Sequence, residues 1–435
     1  MVRTYAGPVL SPARRRELGA FYTPPDVADR LVAIALDGPA DEPMVCDPAC
    51  GDGVFLLAAG RALAARGLAP ERVARDLLWG CDVDPDAVAA TRAAITAWSG
   101  VDPSDHLRVG DGLTLATSTW RGQFDAVVGN PPFLNQLERA TVRRDALPAS
   151  LDAFAGPYTD TAWLFLVAAR DFVRPGGRVV LVQPQSLVAA RDAASVRESI
   201  ESSLEGMWWC DEPLFDASVR VCAPVLGRSR GSIRRWTGRG VQTITAVDWP
   251  QPTWSALVPS DTPLVGFAPS ARLATMATAT AGFRDEYYGL TAHVVDDADG
   301  DLPKLITSGL IDVGRVLWGG RTTRFGGRRF LHPRVEVDEL DGSVARWVQQ
   351  RLVPKVVLAT QTKVLEAAVD VPGDWIPSTP VIAVHAAPAD LWRVAAVLTA
   401  PAMSAWALRH HAGAALHADA IKLSARQVLD LPLPP

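Results

Sequence analysis

The sequence predicts an α/β protein with a doubly wound parallel sheet over residues 1–227 and a mixed α/β domain over residues 228–435. Three observations carry this. The first half alternates short apolar runs with amphipathic stretches, the pattern of strands joined by helices. After Leu226 the composition turns to Arg, Gly and Trp (GRSRGSIRRWTGRG, 227–240) and then to Pro-rich irregular chain. The chain has 435 residues, of which 48% are hydrophobic and 21% charged, enough apolar material for two cores.

The apolar runs give strands at Met44–Asp47, Leu77–Asp82, Leu107–Val109, Phe124–Gly129 and Arg178–Gln183. The stretches between them give helices at Gly53–Arg66, Pro85–Trp98, Asp160–Val173 and Ala193–Leu204. Met207–Cys210 and Val219–Leu226 are expected to close the sheet as a final hairpin, with Trp208 and Trp209 in the core. The domain boundary is placed between Gly227 and Arg228.

Composition excludes several classes. No apolar run reaches the roughly 18 residues of a membrane span, and Met1–Leu10 has no apolar signal core, so a cytoplasmic protein without a membrane partner is expected. Five cysteines without a CxxC pair read as reduced thiols. Residues 1–219 hold 20 basic and 29 acidic side chains, residues 220–363 hold 19 and 13, and residues 364–435 hold 4 and 6. A polyanion is therefore expected to meet the middle of the chain. His410, His411 and His417 have the spacing of no standard metal site and read as a helix surface, so no metal is expected.

Two strand ends carry the first chemistry. Strand one ends in Asp47-Pro48-Ala49-Cys50-Gly51-Asp52-Gly53, where small residues let a ligand approach the backbone before a helix N-terminus. Strand two ends in Cys81-Asp82-Val83-Asp84-Pro85, and a carboxylate there can accept from both hydroxyls of a ribose. The acids of the first turn repel pyrophosphate and suit a cation. A ribose bearing a positive group and no phosphate describes S-adenosylmethionine; the plainer alternative is a packing turn. Strand four ends in Gly129-Asn130-Pro131-Pro132-Phe133. Its two prolines fix an extended backbone. The Asn130 amide and the Pro131 carbonyl are two acceptors at the sheet edge, and Phe133 is a flat apolar face. That set suits a planar group bearing an NH₂.

GAFYTPPDVADRL (19–31), DPACGDG (47–53), CDVDP (81–85), GDG (110–112) and NPPF (130–133) stand in a familiar order. So do YTDTAWLFL (158–166), RPGGRVVLVQPQSL (174–187) and EPLFDASVRV (212–221). The chain resembles the TaqI-like N6-adenine DNA methyltransferases, the gamma-order amino-methyltransferases, in which cofactor motifs precede the catalytic motif and target recognition comes last. KVVLAT (355–360), GDWIPS (373–378) and DLPLPP (430–435) resemble that family's recognition domain more loosely. The resemblance implies a Rossmann-like S-adenosylmethionine-dependent methyltransferase sheet over residues 1–227 and a target-recognition domain over 228–435. It implies site-specific methylation of N6 of an adenine flipped out of duplex DNA, in a restriction-modification, phage-defence or epigenetic role. A separately encoded restriction nuclease would be a further partner.

The family pattern assigns Tyr22 and Thr23 to the methionine end of the cofactor. Asp47, Ala49, Gly51 and Gly53 fall to its amino and carboxylate groups, Asp82 to the ribose, and Asp111 to the adenine. Asn130, Pro131, Pro132 and Phe133 would grip the target base. Family members often carry a second stacking aromatic in the helix after PQSL. Arg191–Ala194 supply none, which leaves Phe154 or Tyr158 as candidates. NPPF alone also occurs in methyltransferases of RNA bases and of protein glutamine, and a non-catalytic DNA-binding subunit could borrow the fold. In GGRTTRFGGRRF (319–330), Arg321, Arg324, Arg328 and Arg329 are candidate DNA contacts; the alternative is a solvated basic loop.

Overall fold

The structure, a computed structural model, describes residues 23–38, 40–115, 120–133, 147–156, 159–210, 220–228, 231–245, 253–262, 265–267, 271–282, 284–340, 342–412 and 420–433. Tyr22, Tyr158 and His417 lie outside them. The chain divides into two compact units, Met1–Pro259 and Ser260–Pro435.

The first unit is built on one sheet. Its strands are β1 (Val45–Asp47), β2 (Leu78–Asp82), β3 (Leu107–Val109), β4 (Phe124–Gly129), β5 (Val173–Leu181), β6 (Gln183–Pro184), β7 (Leu204–Trp209), β8 (Val221–Leu226), β9 (Ser232–Thr237) and β10 (Gly240–Thr245). The order across the sheet is β10-β9-β7-β8-β5-β4-β1-β2-β3, with β6 paired to β8. β1 lies parallel to both β2 and β4, and β3 and β5 extend the parallel set outward. The chain thus winds one way from β1 to β3 and the other way from β4 on. The crevice at the carboxyl ends of β1 and β4 is the topological switch point, where doubly wound sheets bind ligands. Asp47 ends β1 and Asn130 follows β4, so the fold delivers two of the sequence's candidate residues to that crevice.

Local chemistry sets the helices. Asp84 caps Pro85–Ser99 by accepting from the Asp86 N–H at 3.0 Å, with Pro85 in the first turn and Gly100 in the left-handed conformation after the end. Asp160 caps Thr161–Ala169 in the same way. All nine residues of that helix are buried, as its uninterrupted apolar sequence requires. Pro25–Ala35 and Val54–Ala65 bury Val27, Leu31, Phe55, Leu56 and Leu63 in a core shared with Val45, Val128, Val180 and Val182 of the sheet.

β7 and β8 pair antiparallel, and Trp208 and Trp209 are buried. The sheet does not stop there. β9 adds parallel to β7, and β10 pairs antiparallel with β9. The first unit therefore runs to Pro259, where the sequence placed a boundary at Gly227. The Arg-rich stretch that marked the expected boundary holds a strand, β9, whose two arginines are taken up internally. Arg234 pairs with Glu205 at 3.2 Å and Asp37 at 3.4 Å. Arg235 donates to the Leu257 and Ala256 carbonyls, each at 2.8 Å. The charge gradient shrinks accordingly. Met1–Pro259 carries 26 basic and 30 acidic residues, and Ser260–Pro435 carries 17 and 18. Any attraction for a polyanion in the second unit must come from a local patch.

The second unit holds an antiparallel sheet of Ala277–Ala281, Ile382–Ala386, Lys355–Leu358 and Ala367–Asp370. A second, mixed sheet joins Val294–Asp296, Pro333–Val335, Lys304–Ile306 and Trp375–Pro377. Helices Leu391–Thr399 and Pro401–His411 complete a mixed α/β unit. The helix-surface reading of the histidines is corrected at His411. Its ring is buried, takes a hydrogen bond from Gln427 Nε2 at 3.2 Å, and is pushed down to about 4 by desolvation and by the neighbouring His410. All five cysteines are free thiols.

Candidate active site

Three loops at the carboxyl end of the sheet are tied to one another by main-chain bonds. The Cys50 N–H donates to the Cys81 carbonyl at 2.8 Å, joining the turn after β1 to the end of β2. The Gly110 N–H donates to the Asp82 carbonyl at 2.9 Å, joining β2 to the loop that carries Asp111. Thr91 Oγ1 donates to the Gly51 carbonyl at 2.8 Å and holds the glycine turn from the following helix.

The acids divide their work. Asp82 accepts from the Gly51 N–H through Oδ2 and from the Asp84 N–H through Oδ1, each at 3.0 Å. It therefore braces the turn after β1, a structural role that the sequence did not disclose. Burial raises its carboxyl above the ordinary range, and the backbone N–H bonds oppose that rise. Asp111 accepts from the Leu113 N–H at 3.0 Å.

Asp47 is 1% exposed. Its Oδ1 accepts from the Ala49 N–H at 3.1 Å, while Oδ2 is enclosed with no hydrogen-bond partner among the described residues. Burial pushes this carboxyl up to about 8. The Ala49 N–H pulls against that, and the nearby negative charges of Asp82 and Asp52 add to it. Gly129 is required here, because a Cβ on β4 would overlap the Asp47 carboxylate. An enclosed carboxylate oxygen without a donor, flanked by two further acids, is the donor set for a cation. A phosphate would meet repulsion from all three. These residues fit the sulfonium and ammonium groups of S-adenosylmethionine.

Asn130 follows Gly129, the residue packed on this carboxylate. Its Nδ2 donates to Thr23 Oγ1 at 3.1 Å. The Val182 N–H donates to the Gly129 carbonyl at 2.9 Å and fixes the strand end that launches the motif. Pro131 is buried, Pro132 is half-buried, and Phe133 is half-buried against the same core as Val45 and Val128. The structure thus brings Thr23, Asp47, Ala49, Gly51, Gly53, Asp82, Asp111 and Asn130–Phe133 to one end of one sheet. Phe154 is half-buried at the end of the turn Ala149–Phe154. Sequence reasoning missed Gln183. Its amide is fully buried beside this edge, with neither its oxygen nor its nitrogen hydrogen-bonded among the described residues. A polar residue inside the run RVVLVQP was the available signal.

The four candidate arginines of the second unit sit on and beside a two-stranded ribbon, Thr323–Phe325 with Arg328–Phe330. Gly326 and Gly327 have φ of 54° and 78°, the left-handed pair that a two-residue hairpin turn needs. Phe325 and Phe330 anchor one face in the core. Arg324 and Arg329 stand directly opposite each other on the exposed face, with no hydrogen bond or ion pair among the described residues. Arg321 donates to the Gly309 carbonyl at 3.1 Å. Arg328 donates to the Val294 carbonyl at 3.3 Å and lies 4.8 Å from the Phe330 ring centre.

The model of the N-6 DNA methylase family matches residues 9–243. The Type II methyltransferase M.VspI of Vibrio sp. (strain 343) is 27% identical over 190 residues, which cover 44% of this chain and 43% of that protein. The defense against restriction protein B of Escherichia phage P1 is 24% identical over 190 residues, 42% of this chain and 7% of that protein. The chain therefore spans less than half the length of these curated relatives. Among solved structures, the Type IIL restriction-modification enzyme MmeI in complex with DNA superposes with a TM-score of 0.63 at 13% identity, over 97% of this chain and 69% of that one. That likeness shows a shared fold extending through the second unit.

Proposed function

The chain belongs to the N-6 DNA methylase family, and from that premise we propose that it methylates N6 of an adenine turned out of duplex DNA into the crevice between β1 and β4. The observation that carries this reading is the placement of Asn130 directly after Gly129, which packs on the enclosed carboxylate of Asp47, at the switch point of the sheet. The cofactor is S-adenosylmethionine, and when bound it supplies an activated methyl group on a sulfonium.

The chain's own residues do the rest. An adenine N6 lone pair is delocalised into the ring and is a poor nucleophile. Acceptors at the Asn130 side-chain oxygen and the Pro131 carbonyl would draw the two N6 hydrogens out of the ring plane and localise that lone pair. As positive charge develops on N6, the same two dipoles stabilise it more than they stabilise the neutral base. Turning a base out of the stack costs a few kcal/mol. Stacking on Phe133 would return about 1–3 kcal/mol of it. In the second unit, the ribbon of Arg324 and Arg329 is the patch proposed to hold the duplex, and a restriction-modification, phage-defence or epigenetic setting follows from site-specific methylation. Labelled methyl transfer to duplex DNA, to RNA and to protein extract tests the reading. Label confined to DNA supports it, and label in RNA or protein alone, or in none of them, refutes it.

Two further outcomes arise from the acids. Asp82→Ala should weaken cofactor affinity by about 1.5–3 kcal/mol, the cost of a lost charged hydrogen bond. Calorimetry showing unchanged affinity would remove Asp82 from the site. Asp47 makes binding depend on pH. Its folded carboxyl titrates at about 8, well above its ordinary 3.8. The contribution of the protonated form to stability is thus complete below the ordinary value and is lost as pH rises through 8. A cation favours the carboxylate. Cofactor affinity should therefore rise from pH 6 to about 9, with proton uptake by the buffer on binding below 8. Asp47→Asn should flatten that profile, and an equally steep profile in the variant would assign the dependence to another group.

A further inference from the structure

We infer that Tyr287 is a positioning residue for the arginine ribbon: its phenol oxygen holds the turn between the two strands, and this presents Arg324 and Arg329 to the duplex in one fixed orientation. The inference rests on the proposed role of the ribbon and adds to it a helix of the second unit.

A two-stranded ribbon this short does not hold its own shape in water. Thr323–Phe325 and Arg328–Phe330 share three residue pairs, and the charged pair Arg324–Arg329 is the middle one. Cations directly opposite each other repel, which favours opening. Other groups must therefore hold the ribbon. Its inner face is anchored by Phe325 and Phe330 in the core, and its open end by the hydrogen bond between Thr323 Oγ1 and Thr307 Oγ1 at 2.5 Å. The turn is held from helix Arg284–Thr291. The Gly326 N–H donates to the Tyr287 hydroxyl at 3.1 Å. A main-chain N–H can only donate, so the phenol oxygen is the acceptor. The Tyr287 ring lies 4.8 Å from that of Phe325 and is half-buried against the same core. One helical turn on, Thr291 fills the space beside Gly326, where a Cβ would overlap Thr291 Cγ2. The Thr291 hydroxyl donates to the Tyr287 carbonyl at 3.0 Å. Tyr287 and Thr291 thus form one helix face that grips the turn. The grip orders the ribbon before DNA arrives; without it, that ordering would take place on binding and weaken it.

The test is Tyr287→Phe, which keeps the ring and removes the hydroxyl. It is made in the wild-type chain and in the chain carrying Arg324→Gln with Arg329→Gln, all at full length. The Kd for a labelled random-sequence duplex is measured by anisotropy, with cofactor Kd, Tm and hydrogen exchange across residues 319–330 alongside. In the wild-type chain the expected result is duplex binding about 3–10-fold weaker, the effect of one lost hydrogen bond. Exchange in the ribbon should quicken while cofactor Kd stays near wild type. In the chain without the two arginines the same substitution should change duplex Kd less than about twofold, because the turn then has no charged pair to present. A tyrosine that only stabilises the fold would weaken binding equally in both chains, so a lower Tm does not obscure the comparison. An equal loss in both chains would overturn the inference. So would an unchanged duplex Kd in Tyr287→Phe beside a clear loss in the arginine variant, a result that leaves the ribbon's own role standing. Duplex binding unchanged by the arginine substitutions would instead remove the ribbon as the DNA patch, and the role of Tyr287 with it.

Discussion

Replacing Asn130 with alanine is expected to lower methyl transfer at least about a hundredfold while cofactor affinity stays near that of the wild type. In the proposed reaction the asparagine oxygen is one of two acceptors for the substrate amino group, and it would act most strongly where charge develops on the reacting nitrogen. The cofactor side of the crevice is built from other residues. Asp47, the Gly51–Gly53 turn, Asp82 and Asp111 hold one another through bonds that do not pass through Asn130. Single-turnover transfer with the purified variant, together with calorimetric titration of the cofactor, reads both halves. Near wild-type turnover would show that the base is gripped elsewhere. Loss of cofactor affinity matching the loss of turnover would move Asn130 to the cofactor.

Neutralising the ribbon is expected to have the second largest effect. Arg324→Gln with Arg329→Gln should weaken duplex binding and flatten its salt dependence by about 0.9 in log–log slope for each phosphate left without its arginine. Adding Arg321→Gln and Arg328→Gln should deepen the loss less than proportionately, because those two side chains already bond to the Gly309 and Val294 carbonyls. Like charges directly opposite on paired strands repel. The double variant should therefore melt at or above the wild-type temperature while binding DNA less well, a combination that separates a binding role from a structural one. If either arginine reads a guanine edge, discrimination between specific and random duplex should also fall, by about 1–3 kcal/mol for each base read. Titrations of both duplexes at several salt concentrations decide between these outcomes. An unchanged slope and affinity would make the ribbon a solvated basic surface.

Much of the first unit was legible because most of its strands are short, largely apolar and punctuated by Asp, Pro and Gly. Leu107–Val109 and Phe124–Gly129 stand where periodicity places them, and Asp84-Pro85 and Asp160 mark helix starts by capping chemistry. The site's main loops were legible for the same reason, since a doubly wound sheet brings its strand ends together. What the sequence hid depends on distant partners. β9 reads as the basic start of a second domain until Glu205 and Asp37 are seen to take up Arg234. The bracing role of Asp82 depends on a glycine 31 residues away. The Thr23–Asn130 bond depends on a helix start and a strand end meeting across the sheet. The ribbon was visible only as a cluster of Arg, Gly and Phe; the paired strands turn that cluster into an apolar face and a charged one.

The central claim is that this chain methylates adenine N6 at a defined site in duplex DNA. Mapping modified bases in DNA from cells that express it alone tests this most directly. The expected result is N6-methyladenine confined to one sequence context, present with the wild-type chain and lost with Asn130→Ala. DNA free of that base, or methylation that persists unchanged in the variant, would contradict it.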